Sequence, residues 1–588
     1  MKTYTAILLL TASISTQITA KTPQKESQLF LVGGGLKSCS SMAIKNCNSS
    51  VLSEIRQLIN VKTGSLYQIN QKTIQLLKHS WPAHFDKRTK QALILLLKRA
   101  SGDDLAKPVT KSALKSRLKT YDTKKIIKTL SDPEYYLMLD LLEQPVLHAK
   151  THVRLKEHVK LQSSTNVFST EIYENFVQQA KVNSGKDHPK ILIITASGRD
   201  SFEAVDFYQA AFEQAGANAQ WLPLDATLNT LIHKTGDRKS VCKQLTKTRL
   251  KVQGSINREF IYPDLADKQL QACLAPASLI ENLKQADGVF INGGDQSLTL
   301  KAFIKPDGSD SEMLSLIKEK LRNEYFIVGG TSAGTAVMSG GIFAGVNTPM
   351  ITNGASNVAI VRGAKKNQLP VEGCQKSNMC NENLLNSDLT FRSKGGLGLF
   401  HWGIMDTHFS ERGRQGRLAK LVLETNSRFG FGVDEATALI VSELSSEAPS
   451  FNVIGQGGVF IVENDQEPLT NNSVNTHYIS YQDSAKIIDQ QLNIKIASWK
   501  NTPTEIAPLQ SKVSNVFDNS RYKMMTEILC KSNADKYNAV DEWNKHKINI
   551  TVAKLPDAAS GYGVLAINNQ TKNYCSYTNY ALSFWVVD

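Results

Sequence analysis

A chain of 588 residues with 41% apolar side chains can bury a large core and is long enough for three or four domain-sized units, which excludes wholesale disorder. Its formal net charge of +14 is concentrated, since residues 51–160 hold 21 Lys+Arg against 10 Asp+Glu. No zinc-finger, RNP-type or P-loop motif accompanies that charge, so it reads as solvated helix faces and no nucleic-acid partner is expected.

The first twenty residues have the form of a signal peptide. Lys2 supplies the positive start, 6–12 are mostly apolar, and Ile18-Thr19-Ala20 ends in a small residue. A secreted or periplasmic protein is expected, with no membrane span, because no later run approaches the required apolar length. Eight cysteines fit an oxidising compartment, and their order suggests four local disulfides: Cys39–Cys47, Cys242–Cys273, Cys374–Cys380 and Cys530–Cys575. No pair has C-x-x-C spacing and no histidine lies close enough to complete a zinc set, so no metal or other cofactor is called for.

Residues 28–36, QLFLVGGGL, predict a buried strand running into a glycine turn, and the next comparable strand is 190–196. Between them, 53–59, 87–99, 111–118 and 135–142 carry apolar residues at helical spacing among lysines. The segment 46–185 is therefore expected to be a basic, helical insertion between two strands of an α/β unit covering 28–45 and 186–490. From 190 onward strands (217–223, 288–292, 325–329, a run through 404, 430–433, 438–441) alternate with helices (201–214, 279–285, 296–303, 313–322, 414–424). That alternation predicts an α/β fold with a parallel sheet flanked by helices. Segments 548–552, 563–567 and 580–587 predict a β-rich C-terminal module over 491–588.

Gly330-Thr331-Ser332-Ala333-Gly334 follows an apolar strand and precedes a helix-compatible run. This is the G-x-S-x-G elbow in the context that gives it meaning, making Ser332 a candidate nucleophile and Ala333 N–H a candidate oxyanion donor. Gly293-Gly294 at another strand end could complete the oxyanion site. His408 is the best-placed base, just past a strand, whereas His401 inside Leu399-Phe400-His401-Trp402 reads as a core residue. The acid that orients the imidazole is Asp406 or Glu435. Arg412, Arg414 and Arg417 follow His408 closely and could clamp carboxylates.

Four segments resemble the cyanophycinase-type serine peptidases: 289–296, 330–334, 406–418 and 432–438, in the family's order. The resemblance covers roughly 28–45 and 186–490. It implies a sheet related to class I glutamine amidotransferase domains, with Ser332 as nucleophile, His408 as base and Glu435 as third member. It also implies that Gln296, Asp406 and the three arginines line the substrate pocket. Thr407 stands where family members often carry glutamine. The implied activity is hydrolysis of cyanophycin, a polyaspartate chain bearing arginine on each β-carboxyl, to β-Asp-Arg dipeptides. An aspartyl-preferring dipeptidase and a non-catalytic envelope or polymer-binding protein are the alternatives, and a homodimer is compatible with either.

Overall fold

The computed structural model describes residues 24–58, 60–101, 107–368, 383–464, 472–502, 513–567 and 570–587. The signal-like segment 1–20 and the pair Cys374 and Cys380 lie outside the described residues. The remaining three pairs, Cys39–Cys47, Cys242–Cys273 and Cys530–Cys575, stand at disulfide distance.

Two sheets organise the chain. The first has nine strands, in the order Gln491–Lys495, Ser484–Ile488, Ser450–Gly455, Thr437–Ser442, Gln28–Val32, Ile327–Thr331, Gly288–Ile291, Lys190–Ile194 and Asn218–Trp221. From Gln28–Val32 to Asn218–Trp221 every pairing is parallel, and Leu31 lies opposite Gly330. These strands read as near-continuous apolar runs because helices cover both faces. The other four strands are antiparallel, so the sheet is mixed rather than parallel throughout.

The second sheet has eight strands and begins with Ile404–Thr407 and Phe429–Val433, which pair in parallel. It continues through Gly458–Glu463 and Ser473–Ser480 into the C-terminal strands Gln570–Val587, His546–Ile567, Lys536–Trp543 and Val513–Ser514. The β-rich C-terminus is thus hydrogen-bonded into the sheet that carries 404–407, and is not a detached module. Their common core includes Leu418, Phe460, Tyr522, Leu529 and Tyr580. The chain crosses between the sheets in three short turns, 434–436, 456–457 and 481–483.

The helices of 46–185 form as their caps dictate. Ser131 and Glu134 make a reciprocal capping box at the start of Asp132–Leu142, and Asp86 caps Lys87–Ala100. Five helices enclose a separate core that includes Leu93, Leu97, Leu114, Ile126 and Met138, with a small three-stranded sheet alongside. The last helix, Val167–Ser184, behaves differently. Its Tyr173, Phe176 and Val177 pack on Phe30, Ile191 and Phe290 of the nine-stranded sheet. Among the described residues no helix is long and apolar enough to cross a membrane.

Candidate active site

Ser332 follows directly on Ile327–Thr331, at the carboxyl end of a central parallel strand where α/β sheets present ligand-binding groups. Its backbone is held at φ 55° and ψ −116°, conformational strain of about 1–3 kcal/mol that a rigid surround must hold. Glycines make that surround possible. A Cβ at Gly330 would come within 2.4 Å of Gly334 O, and one at Gly334 within 2.4 Å of Ile291 O. The helix after the elbow is a single turn, Ala333–Ala336, shorter than the run that follows the motif suggests.

His408 emerges from Ile404–Thr407 in the second sheet, and Glu435 lies in the turn where the chain passes from the second sheet to the first. The Ser332 hydroxyl stands 2.7 Å from His408 Nε2, and His408 Nδ1 stands 2.8 Å from Glu435 Oε1. With Nδ1–H donating to the carboxylate, Nε2 is left to accept the serine proton. That hydrogen bond holds Glu435 below the usual carboxylate range against the opposing effect of burial, with the His408, Lys37 and Arg412 charges adding to it.

One strand end holds all three groups. Val32 O accepts Ser332 N–H at 3.0 Å, Gly33 O accepts His408 N–H at 2.7 Å, and Gly34 O accepts Ala436 N–H at 2.8 Å. The imidazole and carboxylate then lie against the next two glycines. A Cβ at Gly34 would sit 2.5 Å from His408 Nε2, and one at Gly35 2.6 Å from Glu435 Oε2. The sequence marks 33–35 only as a turn. Three glycines directly after a buried strand were the available signal for a close approach.

Asp406, the other candidate acid, points elsewhere. Its carboxylate accepts from Arg417 Nε at 2.8 Å and Nη2 at 2.6 Å, and from Arg414 Nη1 at 3.2 Å. Burial opposes its ionisation, but Arg417 and Arg414 hold it below the ordinary carboxylate range. Asp406 and Arg417 therefore brace each other at the pocket wall, and Arg417 also donates to Gly354 O at 2.6 Å. Arg412, Arg414 and Arg417, expected to line the pocket, all border it, Arg417 with its guanidinium already paired. Arg412 is exposed, with no ion pair among the described residues. Burial and the charge of Arg417 push Arg414 down to about 9 against the opposing charge of Asp406. His401, expected in the core, is half-buried, its ring 4.1 Å from that of Trp402 and tilted by 32°.

Ser332, His408, Asp406 and the three arginines border a pocket of about 100 Å³ that also includes Gln296, Ala333 and Gly294. Gln296 donates to Ile351 O and Thr352 O, fixing the far wall. Ala333 N–H and Gly294 N–H meet no acceptor among the described residues. Only glycine fits at 294, where φ is +148° and a Cβ would lie 2.2 Å from Ser197 O. The sequence did not single out Glu411, Asp434 and Lys523 behind Glu435. Asp434 is fully buried and pairs with Lys523 at 3.0 Å, while Glu411 accepts Glu435 N–H at 3.1 Å.

Such an arrangement can activate a hydroxyl as a nucleophile and present N–H groups to a developing oxyanion, the chemistry of acyl-transfer hydrolases. No protein-family model matches the chain. Over 214 residues, 34% of this chain and 57% of the relatives, it is 29% identical to the cyanophycinases of Trichormus variabilis and Nostoc sp.. Over 191 residues, 32% of this chain and 54% of the relative, it is 27% identical to the cyanophycinase of Geminocystis herdmanii. The matches thus span a little over half the length of these curated relatives. The similarity to cyanophycinases thus covers about a third of this chain's own length.

Proposed function

We propose that the protein is a serine-type peptidase that hydrolyses cyanophycin, or a closely similar aspartyl polymer, to β-Asp-Arg dipeptides. The observation that carries the reading is the 2.7 Å and 2.8 Å relay from Ser332 through His408 to Glu435 on a strained elbow. The likeness to named cyanophycinases supplies the substrate class.

In this reading the Ser332 hydroxyl attacks the backbone carbonyl carbon as His408 Nε2 takes its proton. The carbonyl oxygen becomes an oxyanion facing Ala333 N–H and Gly294 N–H. Collapse breaks the C–N bond, and His408 returns the proton to the leaving amine. Water, deprotonated by the same nitrogen, then attacks the acyl ester and frees Ser332. Glu435 stabilises the transient imidazolium. Arg412 and Arg414 offer charge to the free α-carboxylates of the arginines attached to the polymer, which neutral donors would bind more weakly. No step calls for a cofactor.

The pocket volume of about 100 Å³ favours a second reading, an aspartyl-preferring dipeptidase of the same chemistry. Incubating purified protein with cyanophycin and with soluble aspartyl dipeptides, then identifying products by mass spectrometry, separates the two. Release of β-Asp-Arg from the polymer supports the first, and cleavage of dipeptides alone supports the second. We also place the catalytic unit in 28–45 and 186–490, with 46–185 inserted, and propose export on the strength of 1–20 and the cysteine pairs. Disulfide mapping of exported protein, without free thiols, is the expected outcome.

A further inference from the structure

Three unusual features lie together behind Glu435. Asp434 is a fully buried carboxylate, and it binds both loops of the site: Oδ1 accepts Ser410 N–H at 3.0 Å, two residues beyond His408, while its own backbone leads into Glu435. Tyr478 O–H donates to Asp434 Oδ2 at 2.6 Å. A second carboxylate, Glu411, sits in the same space and holds Glu435 N–H. Two carboxylates so placed disfavour joint ionisation, and burial with the Asp434 charge pushes Glu411 up to about 7. The cation bound to Asp434 comes from the C-terminal segment: Lys523 Nζ, on the helix Arg521–Cys530, lies 3.0 Å from Oδ2.

The same segment touches the His408 loop at another point. A Cβ at Gly413 would fall 1.8 Å from Phe517 O, and one at Gly416 2.9 Å from the Phe517 ring. The helix is anchored by Cys530–Cys575 and by Tyr522 and Leu529 in the core of the second sheet.

We propose that Lys523 is a positioning residue for the Ser332–His408–Glu435 relay, acting by keeping Asp434 ionised so that it pins the His408 loop to the Glu435 turn. Without a cation, a buried Asp434 beside Glu411 takes up a proton. A neutral Asp434 has less acceptor capacity for Ser410 N–H, Tyr478 O–H and Gly458 N–H together. The turn at 408–412 then loosens and Nε2 drifts from Ser332. The C-terminal segment thereby becomes part of the site rather than an appendage. This inference rests on Ser332 being the nucleophile.

The test is the rate at which a fluorophosphonate labels Ser332 in the full chain. Lys523→Met is expected to slow labelling at least tenfold, and Lys523→Arg to restore it to within about threefold. Turnover should fall in kcat with KM little changed, because the substrate-facing arginines are untouched. If Lys523→Met does not fold, Lys523→Gln, which can still donate to Asp434 without charge, carries the same expectation. A folded Met or Gln variant that labels at the wild-type rate would overturn the role of Lys523 alone. A loss that Lys523→Arg does not recover would overturn the charge argument. Absence of labelling in the wild type would instead overturn the Ser332 reading on which this stands.

Discussion

Gly34 carries no side chain because His408 occupies the space one would need: a Cβ there would lie 2.4 Å from Cε1 and 2.5 Å from Nε2 of the imidazole. The backbone also sits at φ +103°, a region that side chains strain to adopt. Gly34→Ala should therefore lower kcat by about 100-fold or more by displacing the base, with a modest loss of Tm. Gly64, where a Cβ meets nothing within 4 Å, is the control, and Gly64→Ala should change neither quantity. Steady-state kinetics with thermal melts check this.

Two carboxylates competed for the role of orienting acid, and their environments separate them. Glu435→Gln should reduce kcat while leaving the unfolding midpoint near wild type, since Glu435 is partly exposed and acts on His408. Asp406→Asn should instead destabilise the fold by about 3–5 kcal/mol, because it leaves Arg417 buried without its counter-charge. Denaturant unfolding of both variants reads the contrast. A stable Asp406→Asn with low kcat would transfer the role to Asp406.

Glu411 gives a pH signature. Its folded pKa is raised to about 7, above the ordinary glutamate value, through burial and Asp434. The folded state therefore holds this proton more tightly than the unfolded chain. That contribution to stability is complete below about pH 4.5 and is lost as pH rises to about 7. Glu411→Gln can still accept Glu435 N–H but cannot ionise. Thermal melts from pH 4.5 to 8 should show wild type losing stability relative to the variant across that interval; parallel curves would contradict it.

The arginines divide by what they already hold. Arg412→Lys keeps the charge but loses the fork, and should lower kcat/KM on cyanophycin about tenfold relative to its value on a small neutral ester. Arg417→Lys breaks the paired contact with Asp406, so Tm and both activities should fall together. If Arg412→Lys lowers polymer and ester activity equally, substrate recognition does not run through Arg412.

Much of this was legible from local pattern. Short apolar runs gave the strands expected at 28–36, 190–196, 288–292 and 325–329, the last found at Ile327–Thr331, and the elbow motif singled out Ser332, because both are signals carried by a few consecutive residues. Of the antiparallel half of the first sheet only 438–441 was read as a strand; Ser484–Ile488 and Gln491–Lys495 are five-residue strands joined as a local hairpin, too short and too polar to stand out from the surrounding chain. The continuation of Ser473–Ser480 into Gln570–Val587 was not legible either, being a pairing across about a hundred residues. At the site, side-chain identity suggested Asp406 as readily as Glu435, and only the fold shows Asp406 facing Arg417. Lys523 carried no local signal at all, being one lysine among many until the second sheet brings it to Asp434.

The account stands on Ser332 as an activated nucleophile, and the most direct measurement is fluorophosphonate labelling of the purified protein followed by peptide mapping. The expected result is one adduct on Ser332, absent in Ser332→Ala, with turnover of cyanophycin reduced by about 10⁴-fold or more in that variant. An unlabelled Ser332, or a Ser332→Ala protein that retains more than about a tenth of wild-type turnover, would contradict it.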